Sequence, residues 1–454
     1  MTSLKLVKNI GYLVTADSTQ TVLKDAWITH SEGFIQGFGS GQPPEADYTE
    51  VVDAKGGILT PGFVNTHHHF YQSMARAYTP GNNSPLLPWL AAMNKLWVDH
   101  YTNEDLYLAT QYALAELMLT GCTTAADHHY IVPETSFEHH NAQFEAAASM
   151  GIRFHCGRGA MDKPSPELIS PWLCQDFDTI VADWERLLNT HHDASPGSMH
   201  QTFIAPTAVT SCTAELLKTA ADLAKKHQVP LHTHCGETVA EDEYSMRHYG
   251  IRQIPYLANL GWDFDGVYFA HGIHFTDEEV AFLGKNRMGV AHCPYANMRL
   301  GSGICRVPEL RAAGAKVGIG VDGSASNDSG HILGEIRQSF MLSRVKYGTE
   351  AMTALDAIEI GTRGGAEILK REDIGSVEVG KCADFAVFPE VDIFSSGVEN
   401  SVDGLIICWS RQVDTLIAHG TVKVKDGSLV DIDIDALRAK HHARARFFHE
   451  NATR

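Results

Sequence analysis

The stretch GGILTPGFVNTHHHFYQ, residues 56–72, decides the fold. It begins with strand-forming residues, is interrupted by the turn signal Pro-Gly, and continues into three consecutive histidines. Successive side chains of a strand point to opposite faces, so we expect His67 and His69 to share one face and His68 to point away. Two imidazoles two residues apart at the carboxyl end of a strand can bind one metal ion together.

Short apolar runs recur beyond this stretch, and long amphipathic segments such as NEDLYLATQYALAELMLTG (103–121) follow them. Apolar runs that alternate with helical patterns predict βαβ units and a parallel sheet. The eight runs are GFVNT (62–66), TTAAD (123–127), IRFHC (152–156), TFIAP (202–206), VPLHTH (229–234), VYFAH (267–271), MGVAH (288–292) and KVGIGVD (316–322). Eight such units predict a TIM-type (β/α)8 barrel.

The two ends of the chain have a different pattern. Residues 1–58 and 372–454 contain short alternating segments separated by Gly, Asp and Pro, which is typical of strands and turns. We therefore expect a small β-sandwich formed by both termini, residues 1–58 plus 372–454, beside a catalytic barrel at 59–371. The basic stretch ALRAKHHARARFF (436–448) is interpreted as the polar face of a terminal helix.

The composition restricts the class of partner. The 36 basic and 55 acidic residues give a net charge of −19, which argues against nucleic acid or an anionic membrane as a partner. No run of 18 apolar residues is present, and the N-terminus lacks the apolar core of a secretory signal. The nine cysteines are scattered without a C-x-x-C pair, which predicts reduced thiols and a cytoplasmic location.

Other predicted barrel strands also end in titratable residues. HTHCGE provides His232, His234 and Glu237, AHGIH provides His271, and GVDGSASND provides Asp322. Each pattern alone is weak, because a single histidine after an apolar run is more often a core residue. Their combination at the carboxyl ends of barrel strands predicts a catalytic site for a divalent metal. Spacing alone does not choose between His232 and His234.

These stretches, PGFVNTHHH, HTHCGE, AHGIH and GVDGSASND, resemble the amidohydrolase superfamily, in its branch of aromatic-ring aminohydrolases and triazine hydrolases. The resemblance covers essentially the whole chain, since VGKCADFAVF (379–388) matches the closing segment of the family. It implies one metal ion, usually zinc, and it selects His234 over His232. The implied ligands are His67, His69, His234 and Asp322. Two-metal members carry a bridging lysine after the fourth strand, and residues 200–217 contain no lysine, so a single metal is expected.

The resemblance also implies a reaction. It predicts a hydrolytic deaminase that releases ammonia from an amino-substituted, oxo-purine-like heterocycle such as 8-oxoguanine. The catalytic residues would be Glu237, His271 and Asp322. Glu237 would carry a proton from water to the ring nitrogen, and Asp322 would pass a second proton to the leaving ammonia. His271 would stabilise the charge that develops on the attacked ring.

Four further residues are predicted to contact the substrate. Gln72 offers an amide that can pair with an amide-like ring edge, and Trp89 offers a flat wall. Arg158 could bind a ring carbonyl, and His129 ends the second strand. The alternatives are core packing for Trp89, an ion pair for Arg158 and backbone hydrogen bonds for His129. The stretch DKPSPELISPW (162–172) departs from the family pattern and leaves the ring identity open.

Other readings of the sequence remain. The substrate could be isoxanthopterin, a pterin or guanine, or the enzyme could act on s-triazines as an aminohydrolase or chlorohydrolase. An inactive binding protein is the third possibility, but such relatives lose metal ligands and this chain retains all of them. In each enzymatic case we expect a small-molecule partner, no nucleic acid or membrane partner, and a homo-oligomer.

Overall fold

The structure, a computed structural model, describes residues 3–97, 100–132, 138–164, 171–408 and 412–452. The strands are β1 Lys5–Val14, β2 Val22–Ser31, β3 Phe34–Ser40, β4 Glu50–Asp53, β5 Ile58–Pro61, β6 Phe63–Asn65, β7 His68–His69, β8 Cys122–His129, β9 Arg153–Ala160, β10 His200–Pro206, β11 Leu231–Cys235, β12 Val267–His271, β13 Gly289–His292, β14 Lys316–Ile319, β15 Asp322–Gly323, β16 Phe385–Phe388, β17 Thr415–Ala418, β18 Thr421–Lys425 and β19 Ser428–Leu429.

The α-helices lie mainly between the strands of the central region. They are α1 Leu86–Asn94, α2 Asn103–Leu119, α3 His139–Met150, α4 Phe177–Thr190, α5 Ala214–His227, α6 Val239–Tyr249, α7 Gln253–Asn259, α8 Asp277–Lys285, α9 Pro294–Arg299, α10 Val307–Ala313, α11 Ile332–Tyr347, α12 Ala354–Gly361, α13 Arg363–Ile368, α14 Ser401–Ile407 and α15 Ile434–Asn451. A 3₁₀ helix, Phe70–Ala75, follows the three histidines directly. Among the described residues, no helix is both long and apolar enough to cross a membrane.

The central strands close into a barrel in the order β6-β8-β9-β10-β11-β12-β13-β14, and their ladders are parallel. All eight predicted strands are present, which confirms the TIM-type barrel. Barrel strands are covered by helices on the outside and packed against side chains on the inside, so both of their faces are buried. Continuous apolar runs in the sequence therefore predict such strands. In β12, for example, all five residues VYFAH are buried.

The terminal segments form one hydrogen-bonded mixed sheet of nine strands. Its order is β19-β18-β17-β16-β5-β1-β2-β3, with β4 paired to β1. The antiparallel pairing of β16 with β5 joins the two ends of the chain. Gly62 separates β5 of this sheet from β6 of the barrel, and a Cβ there would lie 2.1 Å from Thr123 Oγ1, so only glycine fits.

Two features differ from the expected domain limits. Strand β5 belongs to the terminal sheet although it continues past residue 58. Helix α15 packs against α2 and the 3₁₀ helix Phe70–Ala75 on the barrel side, and Phe448 is fully buried there. The basic stretch is therefore helical, as expected, but only one face of it is solvated. His441 is buried on the other face and stacks on Tyr112 with the ring centroids 3.7 Å apart.

Candidate active site

The short strands β7 and β15, which follow barrel strands β6 and β14 in the chain, bring the histidine segment and Asp322 side by side. Strand β15 pairs in parallel with β7, and Asp322 N donates to His67 O at 3.1 Å. Asp322 and His271 both have positive φ angles, 59° and 77°, a region that non-glycine residues rarely occupy. The surrounding structure must hold these two conformations in place.

Four side chains converge with pair distances close to tetrahedral ligand spacing. His69 Nε2 lies 3.2 Å from His234 Nε2, and Asp322 Oδ1 lies 3.4 Å from His67 Nε2 and 3.3 Å from His69 Nε2. Zinc–ligand bonds of about 2.0–2.1 Å give a tetrahedral ligand–ligand spacing of about 3.3–3.4 Å. These three distances match that spacing, and within the described residues the ligand atoms of His67, His69 and Asp322 lie within 4.8 Å of one another, close enough to hold one divalent ion together.

The hydrogen bonds of these histidines support the same conclusion. His69 Nδ1 donates to His128 O at 2.6 Å, and His234 Nδ1 donates to Thr207 O at 2.8 Å. A neutral imidazole carries one N–H, so both Nε2 atoms present lone pairs to each other. Two lone pairs at this distance repel unless a cation lies between them. Burial lowers the pKa of both imidazoles, which keeps them neutral and able to bind a metal.

His67 is oriented by a second histidine. His232 Nδ1 donates to Tyr268 O at 3.1 Å, which leaves His232 Nε2 to accept from His67 Nδ1 at 2.9 Å. His67 Nε2 is then free for the ion, and this buried atom has no hydrogen-bond partner within the described residues. His232 is buried beneath the site, whereas His234 lines the cavity. The histidine that lines the cavity, His234, is therefore the one that the family pattern selects.

The carboxylate of Asp322 is held in its ionised form. Burial alone would raise its pKa, but the neighbouring His67, His271 and His69 bring the pKa well below its usual range. Ser326 Oγ donates to Asp322 Oδ2 at 2.8 Å, which leaves Oδ1 facing the histidines. Ser326 lies in the stretch GVDGSASND but was not predicted from the sequence, because its hydroxyl gives no distinctive spacing signal.

Glu237 and His271 lie beside this cluster. His271 Nε2 is 3.4 Å from Glu237 Oε2, and Ser302 Oγ is 3.4 Å from Glu237 Oε1. Burial, followed by the negative charges of Glu241 and Asp322, raises the pKa of Glu237 well above its usual value. A carboxyl group with a raised pKa can take up and return a proton near neutral pH.

The cluster opens into a cavity of about 470 Å³. Gln72 and Trp89 line it, and their role as substrate contacts stays a prediction. Trp89 is buried and donates through Nε1 to Ala325 O at 3.2 Å, so its ring is held in place. One wall is apolar and includes Leu86, Leu90 and Leu173. Helix α6 also lines the cavity with Tyr244, which is half-buried, and Arg247, which is exposed to solvent.

Arg158 does not reach this cavity, so its prediction as a substrate contact is wrong. The side chain is 1 % exposed, and its Nε donates to Asp183 Oδ2 of α4 at 2.9 Å. Its Nη2 donates to Gln175 Oε1 at 2.6 Å. The physical reason is strand alternation: the even-numbered residues of β9 face the surrounding helices, and the inward positions Gly157 and Gly159 carry no side chain.

The prediction of His129 as a substrate contact is wrong for the same reason. It is fully buried between β8 and α3, with its ring 4.9 Å from that of His139, and it does not line the cavity. Tyr130, the next residue, lines the cavity instead, with its ring 5.0 Å from that of His69. Strand alternation explains this placement, because Asp127 accepts from Gln143 of α3 and the odd-numbered residues of β8 therefore face outward, but the sequence alone gives no signal for that parity.

Comparison with known proteins agrees with this architecture. The profile of the Amidohydrolase family matches residues 58–430. The chain is 41% identical to 8-oxoguanine deaminase of Pseudomonas aeruginosa over 413 residues, 90% of this chain and 92% of the relative. It is 34% identical to hydroxydechloroatrazine ethylaminohydrolase of Pseudomonas sp. (strain ADP) over 440 residues, 93% of this chain and 91% of the relative.

Solved structures lead to the same family. A mutant of atrazine chlorohydrolase from Arthrobacter aurescens TC1, complexed with zinc and atraton, superposes with a TM-score of 0.93 and 28% identity. The superposition covers 97% of this chain and 99% of that chain. Together with the profile match and the His/Asp cluster at the barrel mouth, these similarities show that the chain belongs to the amidohydrolase family.

Proposed function

We propose that the protein is a zinc-dependent hydrolytic deaminase that releases ammonia from an amino-substituted oxo-purine, with 8-oxoguanine as the first substrate to test. The observation that carries this proposal is the combination of one tetrahedral His/Asp set with a buried Glu237 of raised pKa in one cavity. Similarity to 8-oxoguanine deaminase over 90% of the chain supports the choice of ring.

The donor set supports zinc in particular. Three imidazole nitrogens and one carboxylate oxygen are ligands that Zn²⁺ prefers. When bound, the ion acts as a Lewis acid and lowers the pKa of a water from 15.7 to about 7. Residues 200–217 contain no lysine, which supports one ion instead of a lysine-bridged pair.

The protein's own groups would move two protons. Glu237 would take one proton from the attacking water and deliver it to the ring nitrogen next to the amine-bearing carbon. Asp322, whose pKa is held low, would accept the second proton and pass it to the leaving ammonia. His271 would donate a hydrogen bond to the oxygen on which charge develops. Positioned acid–base groups of this kind contribute about 10²–10⁴-fold each.

The cavity wall supplies groups that suit a flat polar ring. Gln72 Oε1 accepts from Ala325 N at 3.4 Å, and Gln72 Nε2 donates to Tyr71 OH at 3.3 Å. An amide held at both ends can present one donor and one acceptor edge to a substrate amide. Trp89 and Tyr130 would bound the faces of the ring, since both line the cavity and the Tyr130 ring lies 5.0 Å from that of His69.

A second candidate is an aminohydrolase of s-triazines. It is supported by the 34% identity to hydroxydechloroatrazine ethylaminohydrolase and by the fold similarity to atrazine chlorohydrolase. The apolar wall of Leu86, Leu90 and Leu173 would suit the alkyl substituents of such rings. Isoxanthopterin, pterin and guanine remain further ring candidates for the same chemistry.

The test is ammonia release by the purified zinc-loaded protein from a panel of rings. The panel contains 8-oxoguanine, guanine, isoxanthopterin, pterin and hydroxytriazines. The proposal predicts the highest kcat/KM on 8-oxoguanine. Turnover of triazines alone, measured as release of ammonia or of the alkylamine, would support the second candidate, and release of neither from any ring would contradict both.

We also propose a cytoplasmic homo-oligomer with two domains, 1–58 plus 372–454 and 59–371, in which β5 and α15 are the elements that cross this division. The nine free thiols support a reducing compartment. Light scattering after gel filtration would test the assembly, and a monomer at micromolar concentration would contradict it.

A further inference from the structure

Asn297 is placed against the one site histidine that lacks an acceptor at Nδ1. It lies on α9, is fully buried, and its Nδ2 is 3.0 Å from His271 Nδ1. Its backbone is fixed on both sides, because Asn297 N donates to Cys293 O at 3.1 Å and Ser302 N donates to Asn297 O at 2.8 Å. The amide therefore meets the imidazole in a defined position.

The contrast with the other site histidines is chemical. The Nδ1 atoms of His67, His69 and His234 each face an acceptor, so their Nε2 atoms carry the lone pair. His271 Nδ1 faces an amide NH₂, which can only donate. His271 Nδ1 must then accept, and the single proton of the neutral ring lies on Nε2, where it points toward Glu237.

The orientation of the amide has a physical basis. In the observed orientation the group without a partner within the described residues is Asn297 Oδ1, an acceptor. The reverse orientation would leave a buried NH₂ with two unpaired donors, and unpaired buried donors are rarer than unpaired carbonyl oxygens. Glu237 can donate or accept, depending on its proton, so Asn297 decides the tautomer.

The tautomer has a consequence for metal binding. His67, His234 and His271 also lie close enough together to hold an ion, which gives a second possible ligand set. A ring nitrogen that carries a proton cannot bind a metal. We infer that Asn297 is a positioning residue that fixes His271 as the Nε2–H tautomer, so that His271 donates to the reacting oxygen and is not a ligand. This inference rests on the proposed hydrolytic function.

The first experiment needs no substitution. The zinc-loaded protein, labelled with ¹⁵N-histidine, is examined by NMR, and His271 is assigned by difference with His271→Gln. We expect an unprotonated Nδ1 and a protonated Nε2. A protonated Nδ1 in the wild-type protein would overturn the inference. Because this readout uses no substrate, it is independent of whether any tested ring is deaminated.

The second experiment compares three backgrounds by kcat and KM. Asn297→Ala should lower kcat by about 10–100-fold with little change in KM, since one transition-state donor is worth about 10²–10³-fold when removed entirely. In the His271→Ala background the same change should cost no further activity. An equal loss in both backgrounds would mean that Asn297 only supports α9.

The third experiment separates shape from hydrogen-bond direction. Asn297→Asp keeps the volume of the side chain but accepts at His271 Nδ1, so it should reverse the tautomer and reduce kcat more than Asn297→Ala does. With Co²⁺ in place of zinc, its visible spectrum should report an added ligand. Near-normal kcat and an unchanged cobalt spectrum in Asn297→Asp would contradict the inference.

Discussion

The inner and outer ends of the cavity are built differently. At the inner end, His69 and His234 are held through Nδ1 by carbonyl oxygens of neighbouring barrel strands. At the outer end, α6 presents Tyr244, which is half-buried, and Arg247, which is exposed. The barrel fixes the positions of the histidines at the inner end, whereas side chains at the outer end can be substituted without disturbing the barrel. Chemistry should therefore depend on the inner end, and ring preference on the outer end.

The largest effect is expected from the ligands at the inner end. His67→Ala and His234→Ala should lose most of the bound metal and at least about 10³-fold in kcat, because water activation is lost. Elemental analysis and ammonia release measure both effects.

His68→Ala is the matched control, because His68 lies on the opposite face and only accepts from His69 N at 2.8 Å. It should keep its metal. Equal metal loss in all three variants would refute the alternating-face argument.

The next effect is expected at Glu237. Glu237→Gln preserves shape and hydrogen bonding but cannot carry a proton, so kcat should fall by about 10²–10⁴-fold while metal content and melting temperature stay close to wild type. Kinetics on every turned-over ring should show the same loss. Near-normal turnover would remove Glu237 from the mechanism.

A smaller effect is expected at Gln72, between the two ends. A buried ring edge left without its partner costs about 1–3 kcal/mol, so Gln72→Ala should reduce kcat/KM by about 10–150-fold without metal loss. Rings that lack the carbonyl should lose less.

Arg158→Ala is the contrasting variant. It breaks a fully buried ion pair with Asp183 and should lower the free energy of unfolding by about 3–5 kcal/mol. Chemical denaturation measures this loss. A ring-specific kinetic defect with unchanged stability would return Arg158 to the substrate site.

The smallest effect is expected at Arg247. Its charge is exposed to solvent, so Arg247→Ala should change kcat/KM by less than about tenfold, and by different factors for 8-oxoguanine and isoxanthopterin. Metal content should not change. A uniform collapse of turnover on all rings would show that the outer end is as fixed as the inner end.

The sequence predicts the barrel and the inner end well for a physical reason. Buried parallel strands require continuous apolar runs, and the metal-binding residues must stand at their carboxyl ends. The stretches around His67 and Asp322 therefore each predict a barrel strand and a candidate metal ligand at its carboxyl end. The choice of His234 over His232 required the family pattern, because both precede Glu237 on the same strand and the same face.

The residues that line the outer end of the cavity and the packing of α15 could not be predicted from the sequence in this way. Arg158 and His129 were expected in the cavity because they are polar and end strands, but parity along β8 and β9 places them behind it. Alternation assigns side chains to the inner or outer face of a strand only when the orientation of one residue is known, and a single sequence does not give that orientation. The burial of Phe448 under α2 likewise depends on long-range packing that has no local signal.

The central claim is that one divalent ion, held by the His/Asp cluster, supports deamination of a purine-like ring. Its most direct test is a titration of metal-free protein with Zn²⁺ while ammonia release from 8-oxoguanine is followed. The account predicts a linear rise in rate that ends at about one equivalent per chain. A break at two equivalents, or full ammonia release before any metal is added, would contradict it.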